Sequence, residues 1–222
     1  MTQHQPLPVV VLISGQGSNL QTLINGQQAG ELAIDIRAVV SNKTDAPGLQ
    51  RAERAGIAAE VASHRGYRDR AAYDAVLRDR VAAHEPGLVV LAGFMRILTP
   101  VFVEAFQGRL INIHPSLLPA FRGLHTHRRA LEAGATEHGC SVHYVIPELD
   151  AGPVILHAPV PVRATDTEDS LERRVQAAEH RAYPQAVQWI AEGRVGFDGA
   201  RVLFDGEPVA TPPRLATAES LS

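Results

Sequence analysis

Val9, Val10, Val11, Leu12 and Ile13 form an unbroken branched, aliphatic run that stops at Ser14-Gly15. A strand with one wet face alternates apolar and polar residues, so an uninterrupted run fits a strand buried on both faces of a parallel sheet. Past the glycines, Leu20, Leu23 and Ile24 recur at helical spacing, with Ser18 or Asn19 as the expected N-cap. The first unit therefore reads as strand, tight turn, helix. The alternation continues with a strand over 34–40, a helix over 47–55, a short strand over 58–61 and a helix over 68–84. A second fully apolar strand spans 88–92, Thr99-Pro100 opens another helix, and 110–113 forms a third buried strand. This β-α alternation predicts an α/β fold with a doubly wound, mainly parallel, Rossmann-like sheet.

The second half reads differently. HPSLLPAFRGLHTH, residues 114–127, reads as a long loop, a length that usually serves function. Strands are expected over 139–145 and 154–162, separated by the turn PELDAG. A long helix follows over 169–192, with Pro184 expected to kink it. Phe197-Asp198-Gly199 reads as a turn between two short strands. A single domain over 1–205 and a mobile tail over 206–222 complete the expectation.

Charge and cysteine content narrow the function. With 21 Lys+Arg against 24 Asp+Glu the net charge is −3, which leaves no single-sign field for nucleic acid or an anionic membrane. The 45% hydrophobic content suffices for a core without disulfides or metal. Cys140, the single cysteine, fits a reducing, cytoplasmic setting, as does a leading segment too short for a signal peptide or a span.

Three stretches carry chemistry. In SGQGSNL, Gly15 and Gly17 allow positive φ and close backbone approach, and the N–H groups of Gly17, Ser18 and Asn19 suit an anion. The third glycine of the dinucleotide fingerprint falls at Leu20 and no Gly-Lys-Ser/Thr follows, so a monophosphate ester is the simpler ligand. In INIHPSLLP, Asn112 and His114 lie two apart at a strand end and share a side; an amide donor beside an imidazole suits an acyl-transfer oxyanion. Asp150, in a glycine-bearing turn, is the candidate to orient that imidazole. In LAGFMRILTP, apolar residues 94–98 could line a flat aromatic pocket. Each stretch also has a plain structural reading: a packing turn, a capping asparagine with a satisfied histidine, a loop tucked into the core. Glu179 reads as a solvated helix charge. Seven histidines between 114 and 180 invite a metal, but no H-E-x-x-H or cysteine cluster accompanies them, so none is expected.

Taken together, VVVLISGQGSNL, AVVSNK, VVLAGFMRIL, INIHPSLLP, GLHTHRRALEAG, HGCSVHYV, ELDAGPVI and RVQAAEHRAYP resemble, in order and spacing, the folate-dependent glycinamide ribonucleotide formyltransferases of purine synthesis. The resemblance implies that Asn112, His114 and Asp150 transfer formyl from the co-substrate 10-formyltetrahydrofolate to a glycyl amine. It further implies that Gly17, Ser18 and Asn19 hold the ribonucleotide phosphate and Glu179 the ribose. The folate would lie at Arg70, Met95, Arg96, Ile97, Leu98 and Asn112, with 123–127 as a mobile loop. Gln16 stands where the family commonly has asparagine, and PAFRG where a lysine-tyrosine-proline-glycine form is common. Partners would be small molecules only, acting on a monomer or homodimer. A formylfolate hydrolase and a non-catalytic phosphate-binding module are the alternative readings.

Overall fold

A computed structural model describes residues 5–216; residues 217–222 of the expected tail lie outside the described residues. The chain runs β1 (Leu7–Ile13), α1 (Ser18–Gln28), β2 (Ile34–Ser41), α2 (Pro47–Arg54), β3 (Ala58–Val61), α3 (Arg70–Ala82), β4 (Leu88–Leu91), α4 (Pro100–Val103) and β5 (Leu110–His114). It continues through α5 (Thr126–Glu132), β6 (Glu137–Tyr144), β7 (Val154–Pro161), α6 (Glu168–Ala191), β8 (Val195–Phe197), β9 (Val202–Phe204) and β10 (Glu207–Pro208). A seven-stranded sheet has the order β3-β2-β1-β4-β5-β6-β7. The first five strands are parallel, and β6 and β7 each run antiparallel to the neighbour before it. A small antiparallel sheet joins β8, β9 and β10.

The apolar run behaves as its composition requires. Val9, Val11 and Ile13 enter a core with residues of α1, α2 and α6, while Val10 and Leu12 enter a second core with Tyr73 and Leu77 of α3 and Phe102 of α4. Strand β4 divides in the same way, Leu88 and Val90 to one core and Val89 and Leu91 to the other. Helices on both faces give such strands no wet side. Strand order reverses between β1 and β4, so the crevice for a ligand opens beyond their carboxyl ends.

Several boundaries differ from expectation. Gly17, at φ 69°, is the N-cap of α1 in place of Ser18 or Asn19. Its left-handed backbone is what glycine supplies cheaply, and a Cβ there would sit 2.9 Å from the Cα of Gly48. Gly15 needs no positive φ and has open space around it. Helix α3 begins at Arg70, where the Asp69 carboxylate accepts from the N–H of Ala72, two residues later than expected. The expected loop ends at His125, since Thr126 already opens the seven-residue α5. Helix α6 continues as one helix across Pro184.

Residues 206–216, in the stretch expected as a mobile tail, make strand and main-chain pairings. Strand β10 pairs with β9, and the backbone at Pro213 and Leu215 bonds to His157 on the edge strand β7 (2.9 and 2.7 Å). Arg214 meets Glu137 at 2.6 Å. Capping an exposed edge strand satisfies its free amides and carbonyls.

Candidate active site

Three segments meet at the carboxyl edge of the sheet. The turn after β1 leads into α1, where the first intrahelical bond is Gln21 N–H to the Gly17 carbonyl (2.9 Å). The N–H groups of Ser18, Asn19 and Leu20 therefore lack helical partners, and no side chain caps them. Their partial positive charge favours an anion. Ser14 ties this turn to the next: its hydroxyl donates to Asn42 Oδ1 (2.6 Å) and accepts from the Met95 N–H (2.8 Å) in the loop after β4.

Asn19 and Glu179, 160 positions apart, are joined by a bond from Asn19 Nδ2 to Glu179 Oε2 (2.9 Å). Glu179 is thus no solvated face charge: burial raises its carboxyl pKa, with the Asn19 amide working against that rise. Asn19 Oδ1 is buried and has no protein partner. A nearby carboxylate and an unused amide oxygen suit hydroxyl donors on a ligand.

Beyond β4 and β5 lies a cleft of about 550 Å³, walled in part by Arg96, Ile97, Leu98, Asn112 and Asp150. Met95 and Arg70 are not among its walls. The Met95 side chain is 66% exposed beside the cleft loop, and Arg70 lies exposed at the start of α3. The Arg96 guanidinium stacks 4.7 Å from the centre of the Tyr73 ring, which holds it against α3.

At the inner end of the cleft, His114 Nδ1 lies 3.5 Å from Asp150 Oδ2, and both side chains are almost wholly buried. Asp150 adopts φ 48°, a left-handed conformation that aspartate tolerates better than most residues. The loop after His114 closes over the pair. His114 Nε2 donates to the Phe121 carbonyl (3.1 Å) and the Gly123 N–H donates to Asp150 Oδ2 (3.0 Å). Beneath the loop, the Ser141 hydroxyl accepts from Leu118 N–H (3.0 Å) and donates to the Ser116 carbonyl (2.7 Å). His143, directly across from Asn112 in the β5·β6 ladder, completes the cluster, with Asn112 Nδ2 3.2 Å from His143 Nε2.

The expected residues thus form two groups: Asn112, His114 and Asp150 around the cleft, and the α1 N-terminus with Glu179. Sequence reasoning does not single out His143 or Ser141, and it places Ser14 in the anion loop without its bridge to Asn42 and Met95. His143 lies within HGCSVHYV, and only its cross-strand placement opposite Asn112 singles it out. Among the described residues no group of three or more His, Cys, Asp or Glu is arranged to hold a metal ion, and His127 and His138 pair with each other (3.1 Å).

A mainly parallel sheet that gathers an amide, an imidazole and a carboxylate beside a cleft of mixed polar and apolar walls has the groups that transfer of a small acyl group requires. The chain belongs to the formyl transferase family, which it matches over residues 7–187, and is a formyl-transferring enzyme. It is 52% identical over 206 residues to the phosphoribosylglycinamide formyltransferase of Escherichia coli (strain K12), covering 93% of this chain and 96% of that one. The enzyme of the same name from Haemophilus influenzae is 42% identical over 199 residues, 90% of this chain and 94% of that one. The solved phosphoribosylglycinamide formyltransferase of Coxiella burnetii, a complex with CHES, superposes with a TM-score of 0.91 at 48% identity, covering 95% of this chain and all of that one.

Proposed function

We infer that this chain transfers the formyl group of 10-formyltetrahydrofolate to the glycyl amine of glycinamide ribonucleotide, a step of purine biosynthesis. The convergence of Asn112, His114 and Asp150 at the inner end of the cleft carries the reading. The phosphate of the acceptor sits on Gly17, Ser18 and Asn19, and its ribose hydroxyls meet Glu179 and the unused Asn19 oxygen. The folate fills the cleft along Arg96, Ile97, Leu98 and Asn112, and Met95 and Arg70, outside the cleft walls, meet only its solvent-facing part. A single cysteine, Cys140, buried and unpaired with any other thiol, suits a reducing, cytosolic setting.

The unprotonated amine attacks the formyl carbon, forming the C–N bond and moving the carbonyl electron pair onto oxygen. Asn112 Nδ2 and His114 Nε2 donate to that oxyanion. In the resting site the Phe121 carbonyl occupies Nε2, so the formyl oxygen takes its place as the loop gives way. Asp150, 3.5 Å from Nδ1, holds the ring in orientation. Collapse expels the folate nitrogen, which receives the ammonium proton through water beside Asp150. Holding the two substrates in line supplies much of the rate.

The test is a folate difference spectrum of the purified protein with donor, with and without glycinamide ribonucleotide, and mass spectrometry of the products. Acceptor-dependent loss of donor with a formylated ribonucleotide is expected. Formate release without acceptor would make the chain a hydrolase. Ribonucleotide binding without turnover would reduce it to a binding module.

A further inference from the structure

His143 is 2% exposed on β6, at the point where the β6·β7 register shifts between Val142 and His143. Such irregularities re-aim side chains. Its Nδ1 lies 2.9 Å from the Tyr144 carbonyl, which only accepts, so Nδ1 carries a proton. Burial is the largest influence on the ring and lowers its pKa to about 4, keeping it neutral near pH 7. Nε2 therefore presents a lone pair, and it faces Asn112 Nδ2 at 3.2 Å.

This arrangement decides an ambiguity that sterics leave open. The oxygen and nitrogen ends of a carboxamide are nearly equal in size, and a wrong flip would offer the oxyanion a carbonyl instead of an N–H. A lone pair at Nε2 repels the carbonyl and accepts the N–H. One hydrogen of Asn112 Nδ2 is then held by His143 and the other remains for the substrate oxygen. A cationic His143 would do the reverse. It would repel the amide nitrogen and pair with Asp150 Oδ1, 3.9 Å away, drawing that carboxylate from His114.

We propose that His143 is a positioning residue for formyl transfer: a neutral, Nδ1-protonated ring whose Nε2 sets the Asn112 amide with its N–H toward the reacting oxygen. This rests on the assignment of Asn112 as an oxyanion donor, so the experiment separates the two. Kinetics are measured on the full chain for wild type, His143→Leu, His143→Gln, Asn112→Ala and Asn112→Ala/His143→Leu, alongside 15N NMR of the imidazole rings, with the His143 signal assigned by its absence in His143→Gln.

In His143→Leu, kcat is expected to fall about 10- to 100-fold, less than the full loss of an oxyanion donor, with both KM values within about threefold. His143→Gln, whose side-chain oxygen restores an acceptor, recovers part of the loss. In the Asn112→Ala background His143→Leu has almost no further effect, because the amide it positions is gone. The wild-type ring shows a neutral, Nδ1-protonated state at pH 7. Multiplicative losses in the double variant, equal losses in the Leu and Gln variants, or a ring cationic or protonated at Nε2 would each overturn the proposal. Normal turnover in Asn112→Ala would remove the underlying assignment and the proposal with it. If His143→Leu does not fold, the ring NMR and His143→Gln, which must keep more turnover than Asn112→Ala, still decide.

Discussion

The buried histidines make stability fall with acid over a range where most carboxylates stay ionised, and His138 isolates the effect. Its ring is 1% exposed, with its Nε2 against His127 Nδ1 (3.1 Å) and its edge against Phe121. Burial first, then the neighbouring His127 and His114, lower its pKa from 6.5 to about 4. The unfolded chain therefore binds a proton near pH 6.5 that the folded chain refuses until about pH 4, and stability is lost as pH falls through that interval. Between pH 7 and pH 5 the linkage relation gives a loss of about 2 kcal/mol for this one ring. His143, lowered to about 4 by the same burial, adds a similar amount. Glu179, raised by burial, works in the opposite direction but is common to the two proteins compared. Urea unfolding of wild type and His138→Leu at pH 7, 6 and 5 reads the difference in slope, whatever the substitution does to absolute stability. The wild type should lose about 2 kcal/mol more than the variant between pH 7 and 5. Parallel profiles for the two proteins would refute the claim that His138 is held neutral by its surroundings.

Three further substitutions probe the geometry of the site. In His114→Ala and Asp150→Ala, kcat should fall about 10²- to 10⁴-fold with folate affinity nearly kept; steady-state kinetics checks this, and near-normal turnover in both would remove them from the chemistry. A Cβ on Gly152 would sit 1.8 Å from the Tyr144 carbonyl oxygen, so Gly152→Ala must push the Asp150 turn away from β6. About 1–3 kcal/mol of stability and roughly 10²-fold in kcat should go together. Wild-type turnover in this variant, with the melting temperature unchanged, would show that the turn does not need that close approach.

The parts of the fold legible in the sequence are those whose side chains carry the information. Val9–Ile13 and Leu88–Leu91 read as strands because burial on both faces demands an unbroken apolar run, and the core membership of alternate residues bears this out. Helix α5 went unseen because seven residues span about two turns, too few for a periodic signal, and its N-cap is a left-handed His125 that no capping rule favours. The packing of 206–216 was hidden for a different reason. Its anchors at Pro213 and Leu215 are main-chain bonds to His157, which any residues could make.

The site divides along the same line. Asn112 and His114 were legible because two positions apart on a strand fixes a shared face, but the 3.5 Å approach of Asp150 depends on where the turn after β6 lands. Glu179 offers the sharper case. At mid-helix it reads as a solvated charge, and only the α1·α6 packing brings it against Asn19, the contact on which its proposed ribose role rests. His143 lies further still from any sequence rule. Its contribution depends on which ring nitrogen carries the proton, and that is set by one carbonyl, Tyr144, and by the register that places it opposite Asn112. A local sequence pattern can specify which groups are present at a strand end. The orientation of an amide within 3.2 Å of an imidazole is a property of the assembled ladder, and for this reaction that orientation decides whether the group stabilises the transition state or opposes it.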